Sequence, residues 1–180
     1  GAVLASGTFG FTSSQVIVFA IAANVVAGIF TIAAGWLDDR FGPRRVIAVS
    51  LVVLVLSATA IFVLHAKGRT VFWVAGLVLS ACVGPAQSAS RGLLARMADE
   101  GREAESFGLY ATTGRVATFL APAAWTVAIR WGGDHQYWGI LGIVTVLVVG
   151  LVLFLLVRFP AGRRVDGRHD VTAAAQPELV

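Results

Sequence analysis

Two apolar runs, Val16–Gly35 and Val46–Leu64, contain no ionisable residue. Few chain folds tolerate that. A bilayer core about 30 Å thick takes about 20 apolar helical residues to cross, and each run has that length. Backbone groups in hydrocarbon need internal partners, so each run is expected to be a helix rather than a strand. The charged stretch GWLDDRFGPRR, Gly35 to Arg45, lies between them and must turn the chain at a membrane surface.

Composition supports lipid as the solvent. The 180 residues are 57% hydrophobic and 13% charged, and mean hydropathy is +0.82. A soluble domain carries about 25% charged residues. The net charge of +4 would raise nucleic acid as a partner in a soluble domain. Here the arginines sit at span ends, where topology places them, so no nucleic-acid partner is expected. The single Cys82 lies within an apolar run and excludes an intrachain disulfide. No nucleophile–base pair, metal-ligand spacing or nucleotide loop stands out, so neither enzyme, metal nor cofactor is expected.

The chain reads as an all-α polytopic membrane helix bundle over residues 1–159, followed by a disordered cytoplasmic tail over 160–180. Gly1–Gly10 reads as the end of an earlier span, and the start without methionine as a fragment of a longer protein. Phe11–Gln15 reads as a polar turn, with Ser13 or Ser14 as cap of the next helix. The full spans are expected at 16–35, 46–64, 71–90, 107–129 and 136–157. The first carries small residues every fourth position, Ala23, Ala27, Thr31 and Gly35, and the third does so at Gly76, Ser80, Gly84, Ser88 and Gly92. Such stripes let helix backbones approach closely in lipid. The Val- and Leu-rich second span is expected to face lipid most broadly. Pro85 and Pro122 predict kinks. Tyr137 and Trp138 form an interfacial pair, and His65 a solvated loop residue. Loops after the first and third spans hold Arg40, Arg44, Arg45, Arg91, Arg96 and Arg102, and the C-terminus four more, which predicts a cytoplasmic side for all three.

Polar residues at membrane depth are few. Asn24 is expected to bond a neighbouring helix or a solute. Arg115 lies eight residues into the fourth span, about 12 Å along the axis. An arginine at mid-span costs roughly 2.5–3.5 kcal/mol to insert, so it should face protein or a water-filled cavity. It is expected to pair with Glu103 or Glu105, or to meet a substrate carboxylate. Asp39, just past the first span, is expected to bond a nearby arginine or the positive start of the fourth span.

GWLDDRFGPRR is similar to the signature loop of the major facilitator superfamily, G-x-L-x-D-R-x-G-x-R, at Gly35, Leu37, Asp39, Arg40, Gly42 and Arg44. Asp38 stands where a small residue is common and Pro43 where a base is common. The stretch Gly84–Arg115 resembles the branch related to fungal autophagy-linked vacuole effluxers, at Gly84, Gln87, Ser90, Arg91, Gly101, Arg102, Glu103, Glu105, Phe107, Gly108, Tyr110 and Arg115; Ser106 departs from it. The resemblance implies the C-terminal half of a twelve-helix secondary transporter, with five full spans and the end of a sixth. Its partners would be lipid, the missing N-terminal half and a small solute such as an amino acid. It implies a bacterial inner-membrane location and a conformational latch at Gly35, Asp39, Arg40, Gly42 and Arg44. Asn24, Gln87, Arg91, Glu103, Glu105 and Arg115 would form a cavity or charge network. The rival reading is a non-transporting scaffold or degenerate half that needs a partner chain.

Overall fold

The computed structural model describes residues 10–64, 68–98 and 101–157. Readings that concern His65, the earlier span at 1–9 and the tail at 160–180 lie outside the described residues. Among the described residues six helices follow in order: α1 Ser13–Phe41, α2 Pro43–Val63, α3 Arg69–Met97, α4 Glu103–Ala117, α5 Leu120–Trp131 and α6 Trp138–Leu156. The described residues form an all-helical bundle. Four of its helices, α1, α2, α3 and α6, are long and apolar enough to cross a membrane.

Helix α1 starts one residue earlier than a Ser13 cap and two earlier than a Ser14 cap would place it. Thr12 is the cap: its Oγ1 accepts the Gln15 N–H at 3.4 Å, and Gln15 Oε1 accepts the Thr12 N–H at 3.1 Å. This reciprocal pair satisfies two orphan donors at once, which a serine cap further in would not. At its far end α1 runs through the charged stretch to Phe41, so the turn shrinks to Gly42 alone. Gly42 sits at φ 81° and ψ 150°, a region essentially closed to residues with a Cβ. Pro43 then starts α2 at its first position, where its missing N–H does no harm. Gly42→Ala is expected to cost about 1–3 kcal/mol, read as a lower thermal midpoint in detergent than that of Gly35→Ala, whose Cβ would meet no atom within 4 Å.

The helices alternate in direction. Phe19, Phe72, Ile61 and Ile140 lie at one end, where Phe11, Ala58 and Ala75 complete a buried cluster. Val46, Ile47 and Ala89 form a second cluster at the other end, flanked by Leu37, Leu93 and Phe154. Helices α1, α3 and α6 therefore run one way and α2 the other. Helix α2 packs against α3 and α6, α1 packs chiefly on α3, and α5 on α6.

Two expectations fail here. The second span is not the lipid-facing one: α2 buries Val46, Ile47, Ser50, Leu54, Ser57, Ala58 and Ile61. Positions 47, 50, 54, 57 and 61 form an alternating three–four seam, the spacing of a helix packed in a bundle. Valine and leucine all round hide that seam, because lipid and protein interior are equally apolar. The fourth span is not one helix either. It breaks at Thr118 and Phe119 into α4 and α5. Pro122 removes the donor for the Thr118 carbonyl and its ring crowds that group, so the hydrogen-bond ladder lapses there while Thr118 (φ −60°, ψ −24°) and Phe119 (φ −75°, ψ −22°) keep helical dihedrals. In α3, by contrast, the helix continues through Pro85.

Candidate functional site

The two small-residue stripes meet each other. A Cβ on Gly76 would come within 2.6 Å of Phe19. One on Gly84 would collide with Thr31 Oγ1 and lie 3.1 Å from the Ala27 carbonyl oxygen. One on Gly92 would touch Asp38 Oδ2 at 3.4 Å. The contact thus runs the length of α1 and α3, side by side and parallel, and ends at a carboxylate.

That carboxylate is Asp38. Arg96 Nη2 donates to Asp38 Oδ2 at 3.0 Å, with the aspartate side chain 14% exposed and the arginine 51%. Asp39 Oδ1 is 4.0 Å from the same nitrogen, and its side chain is 83% exposed. Asp38 Oδ1 is buried without a hydrogen-bond partner among the described residues. Of the two partners expected for Asp39, the structure offers the nearby arginine, at the longer distance, rather than the start of α4; the acid that docks closely is Asp38, and it docks on the end of α3. The reason is helical phase. A strict four-residue step, 27–31–35–39, drifts by about 40° per step at 3.6 residues per turn. The face that stays on α3 runs 27–31–34–38, and Ala34 is 1% exposed while Gly35 is exposed.

Arg40 lies over its own helix's Trp36 ring at 5.5 Å and Phe41 ring at 5.9 Å. Arg44 is exposed in the first turn of α2, and a Cβ on Gly35 would meet no atom within 4 Å.

Nor do the cavity candidates form one network. Asn24 is exposed and its Nδ2 donates to the Ala20 carbonyl of its own helix at 2.8 Å, so the interhelical bond is not made. Gln87 and Arg91 are exposed on α3. Arg102 pairs with Glu105 at 2.8 Å, and Glu103 Oε1 accepts the Gly101 N–H at 3.2 Å. Both glutamates are thus held in the first turn of α4, where negative charge suits the helix dipole. Arg115, at least ten residues further on, has no ion-pair partner among the described residues. The break supplies it with something else. Arg115 falls in the last turn of α4, where a cation faces the negative end of the helix. Thr118 donates its N–H to the carbonyls of Gly114, at 3.1 Å, and Arg115, at 3.2 Å.

One link escaped the sequence reading. Ser90 Oγ and Tyr110 Oη lie 3.0 Å apart and join α3 to α4. Both positions belong to the second motif stretch, but nothing in their spacing of 20 residues pairs them. Among the described residues no group of three His, Cys, Asp or Glu side chains is placed to hold a metal ion.

Comparison with known proteins decides the family. The profile of the Major Facilitator Superfamily matches residues 2–178. The chain belongs to that superfamily. Superfamily members are transporters, and this chain has their multi-pass membrane architecture. It is 23% identical over 148 residues to the uncharacterized MFS-type transporter YxiO of Bacillus subtilis, an alignment covering 82% of the chain. The alignment takes in 34% of that relative's length, so the chain spans about a third of it. No solved structure matches the chain significantly. In this superfamily chain, the signature loop ends α1, and its docked acid is the one next to the motif aspartate.

Proposed function

We propose that the chain forms one half of a secondary transporter that moves small solutes, amino acids among them, by alternating access. The partner would be an N-terminal half of the same transporter, as in the effluxer-like branch that Gly84–Arg115 resembles. The arginine distribution places the Gly42 end of the bundle, and the C-terminus, in the cytoplasm, with the bacterial inner membrane as the location.

The observation that carries the reading is the break between α4 and α5 beside Arg115. Thr118 and Phe119 keep helical dihedrals, but Pro122 leaves the Thr118 carbonyl without its helical donor, and such a group at membrane depth is tolerated only where protein covers it or water reaches it. Neither α4 nor α5 has a buried residue, and α1 buries only Ala34. Among the described residues these helices lack a cover, and a second half-bundle with an aqueous cavity between would supply it. Broken helices beside a midplane site are a recurring transporter device. In that setting Arg115 is the charge available to a solute carboxylate, with Asn24, Gln87 and Arg91 as further polar candidates on exposed faces.

The test is efflux of a labelled amino-acid mixture from proteoliposomes holding the full-length protein. Efflux above empty liposomes is expected. Arg115→Gln is expected to lower it about ten-fold or more, since a charge-assisted bond contributes roughly 1.5–3 kcal/mol, and Arg115→Lys to raise the half-saturating concentration. No efflux from well-inserted protein would favour the scaffold reading. Efflux with unchanged half-saturation in Arg115→Lys would remove direct carboxylate recognition.

At the cytoplasmic end, the latch of Gly35, Asp39, Arg40, Gly42 and Arg44 is proposed in altered form. Asp38 and Arg96 make the clamp, Gly42 shapes the turn, and Asp39 contributes a longer contact to the same arginine.

A further inference from the structure

A groove of about 410 Å³ opens between α1, α2 and α3. Its walls are apolar: Phe30 and Leu37 from α1, Val46 and Val49 from α2, Ala81 and Pro85 from α3. Phe30 and Val49 are 49% and 63% exposed, so the groove is open to the surroundings along its side. Along α1 it reaches from Phe30 to Phe41, about 16 Å at 1.5 Å per residue. That is about half of a 30 Å hydrocarbon core, the depth of one leaflet. Among the described residues only one charged residue lines it, Arg45, and no acid does. Arg45 lies in the first turn of α2, and Gly42 provides that helix end with no side-chain cap. The guanidinium and the positive end of the helix therefore coincide at the groove's charged end.

We propose that this groove holds one acyl chain of an acidic glycerophospholipid, with the lipid phosphate on Arg45. The apolar wall, open on its bilayer side and one leaflet long, suits a chain that descends from the headgroup region. The unopposed positive charge at its end selects an anionic headgroup over a zwitterionic one. A free phosphate would have no use for the apolar wall, and an apolar helix of a partner half would have none for Arg45. The inference needs the superfamily chain to lie in a bilayer and the second half-bundle to cover α1 on a face other than this groove; it does not depend on which solute moves.

The test is native mass spectrometry of the full-length protein in mild detergent, supplied with equal amounts of phosphatidylglycerol and phosphatidylcholine of identical chains. Preferential retention of phosphatidylglycerol is expected. Arg45→Gln should reduce that retention about five-fold, the equivalent of the roughly 1 kcal/mol one arginine contributes against anionic lipid. Arg130→Gln should leave it unchanged. Val49→Trp, which fills the groove from an exposed position, should reduce retention of both lipids. Equal retention of the two lipids, or equal effects of Arg45→Gln and Arg130→Gln, would overturn the headgroup site. Full phosphatidylglycerol retention in Val49→Trp would overturn the groove, leaving surface binding to arginines. A folded Val49→Trp is confirmed by an unchanged thermal midpoint.

Discussion

Gly142→Leu is expected to separate α5 from α6 and to leave the protein poorly folded, whereas Gly150→Leu, two turns along the same helix, is expected to be tolerated. A Cβ on Gly142 would run into the backbone carbonyl of Ala124 and lie 2.9 Å from the Trp125 nitrogen, while one on Gly150 would meet no atom within 4 Å. Overpacking a close contact costs typically 1–3 kcal/mol when side chains can give way. Here the obstructing atoms are backbone, so no rotamer change relieves the clash and the upper end or beyond is expected. Helix association in lipid rests largely on such close packing, with little solvent-driven term to replace it. The measurement is the thermal midpoint of each variant in detergent, followed by size-exclusion profile. Equal midpoints for the two substitutions would show that α5 and α6 do not pack as described.

Arg96→Gln is expected to disturb the clamp more than Asp38→Asn, and both more than Asp39→Asn. The order follows from burial. Removing the arginine leaves a carboxylate, 14% exposed and already lacking a partner for Oδ1, with no bond to either oxygen. An uncompensated charge of that kind costs more than the pair itself contributes. Removing the charge of Asp38 instead leaves a half-exposed arginine free to reach water, so the loss is limited to the bond, roughly 1 kcal/mol for a partly solvated pair. Asp39 sits 4.0 Å from Arg96 and is 83% exposed, so its substitution is expected to change little. In transport terms, a 1 kcal/mol shift alters the balance between two conformations about five-fold, and Arg96→Gln should exceed that. Initial efflux rates at matched protein levels in proteoliposomes check the order. An effect of Asp39→Asn larger than that of Asp38→Asn would return the latch to the motif position.

How far the sequence carried depends on which solvent reveals the pattern. The apolar runs that become α1, α2, α3 and α6 were plain because water and lipid differ: charges gather at Arg40–Arg45, Lys67–Arg69, Arg91–Arg102 and Arg130, and apolar runs lie between them. The stripes of α1 and α3 were also plain, because small residues are rare enough to mark a face. That the two stripes face each other was not readable from either one and came from the structure. What stayed hidden was rotation within lipid. The seam of α2 could not be seen among valines and leucines, and its two buried serines, Ser50 and Ser57, were the available clue. The choice between Asp38 and Asp39 turned on 100° of helical phase, which the motif spacing concealed and the 3.6-residue period would have given. Pro122 was visible, but how far a proline interrupts a helix depends on packing, and among the described residues α4 has little of it. The same gap leaves the Arg115 side chain's partner beyond the reach of local reasoning.

The most direct test of the clamp is amide hydrogen exchange across Ala33–Gly42 in the full-length protein in nanodiscs, comparing wild type with Asp38→Asn, Arg96→Gln and Asp39→Asn. Slow exchange in the wild type and in Asp39→Asn is expected, with faster exchange in Asp38→Asn and faster still in Arg96→Gln. Exchange in that segment that is indifferent to Asp38 and Arg96, or that responds to Asp39 alone, would contradict a carboxylate lock between the ends of α1 and α3.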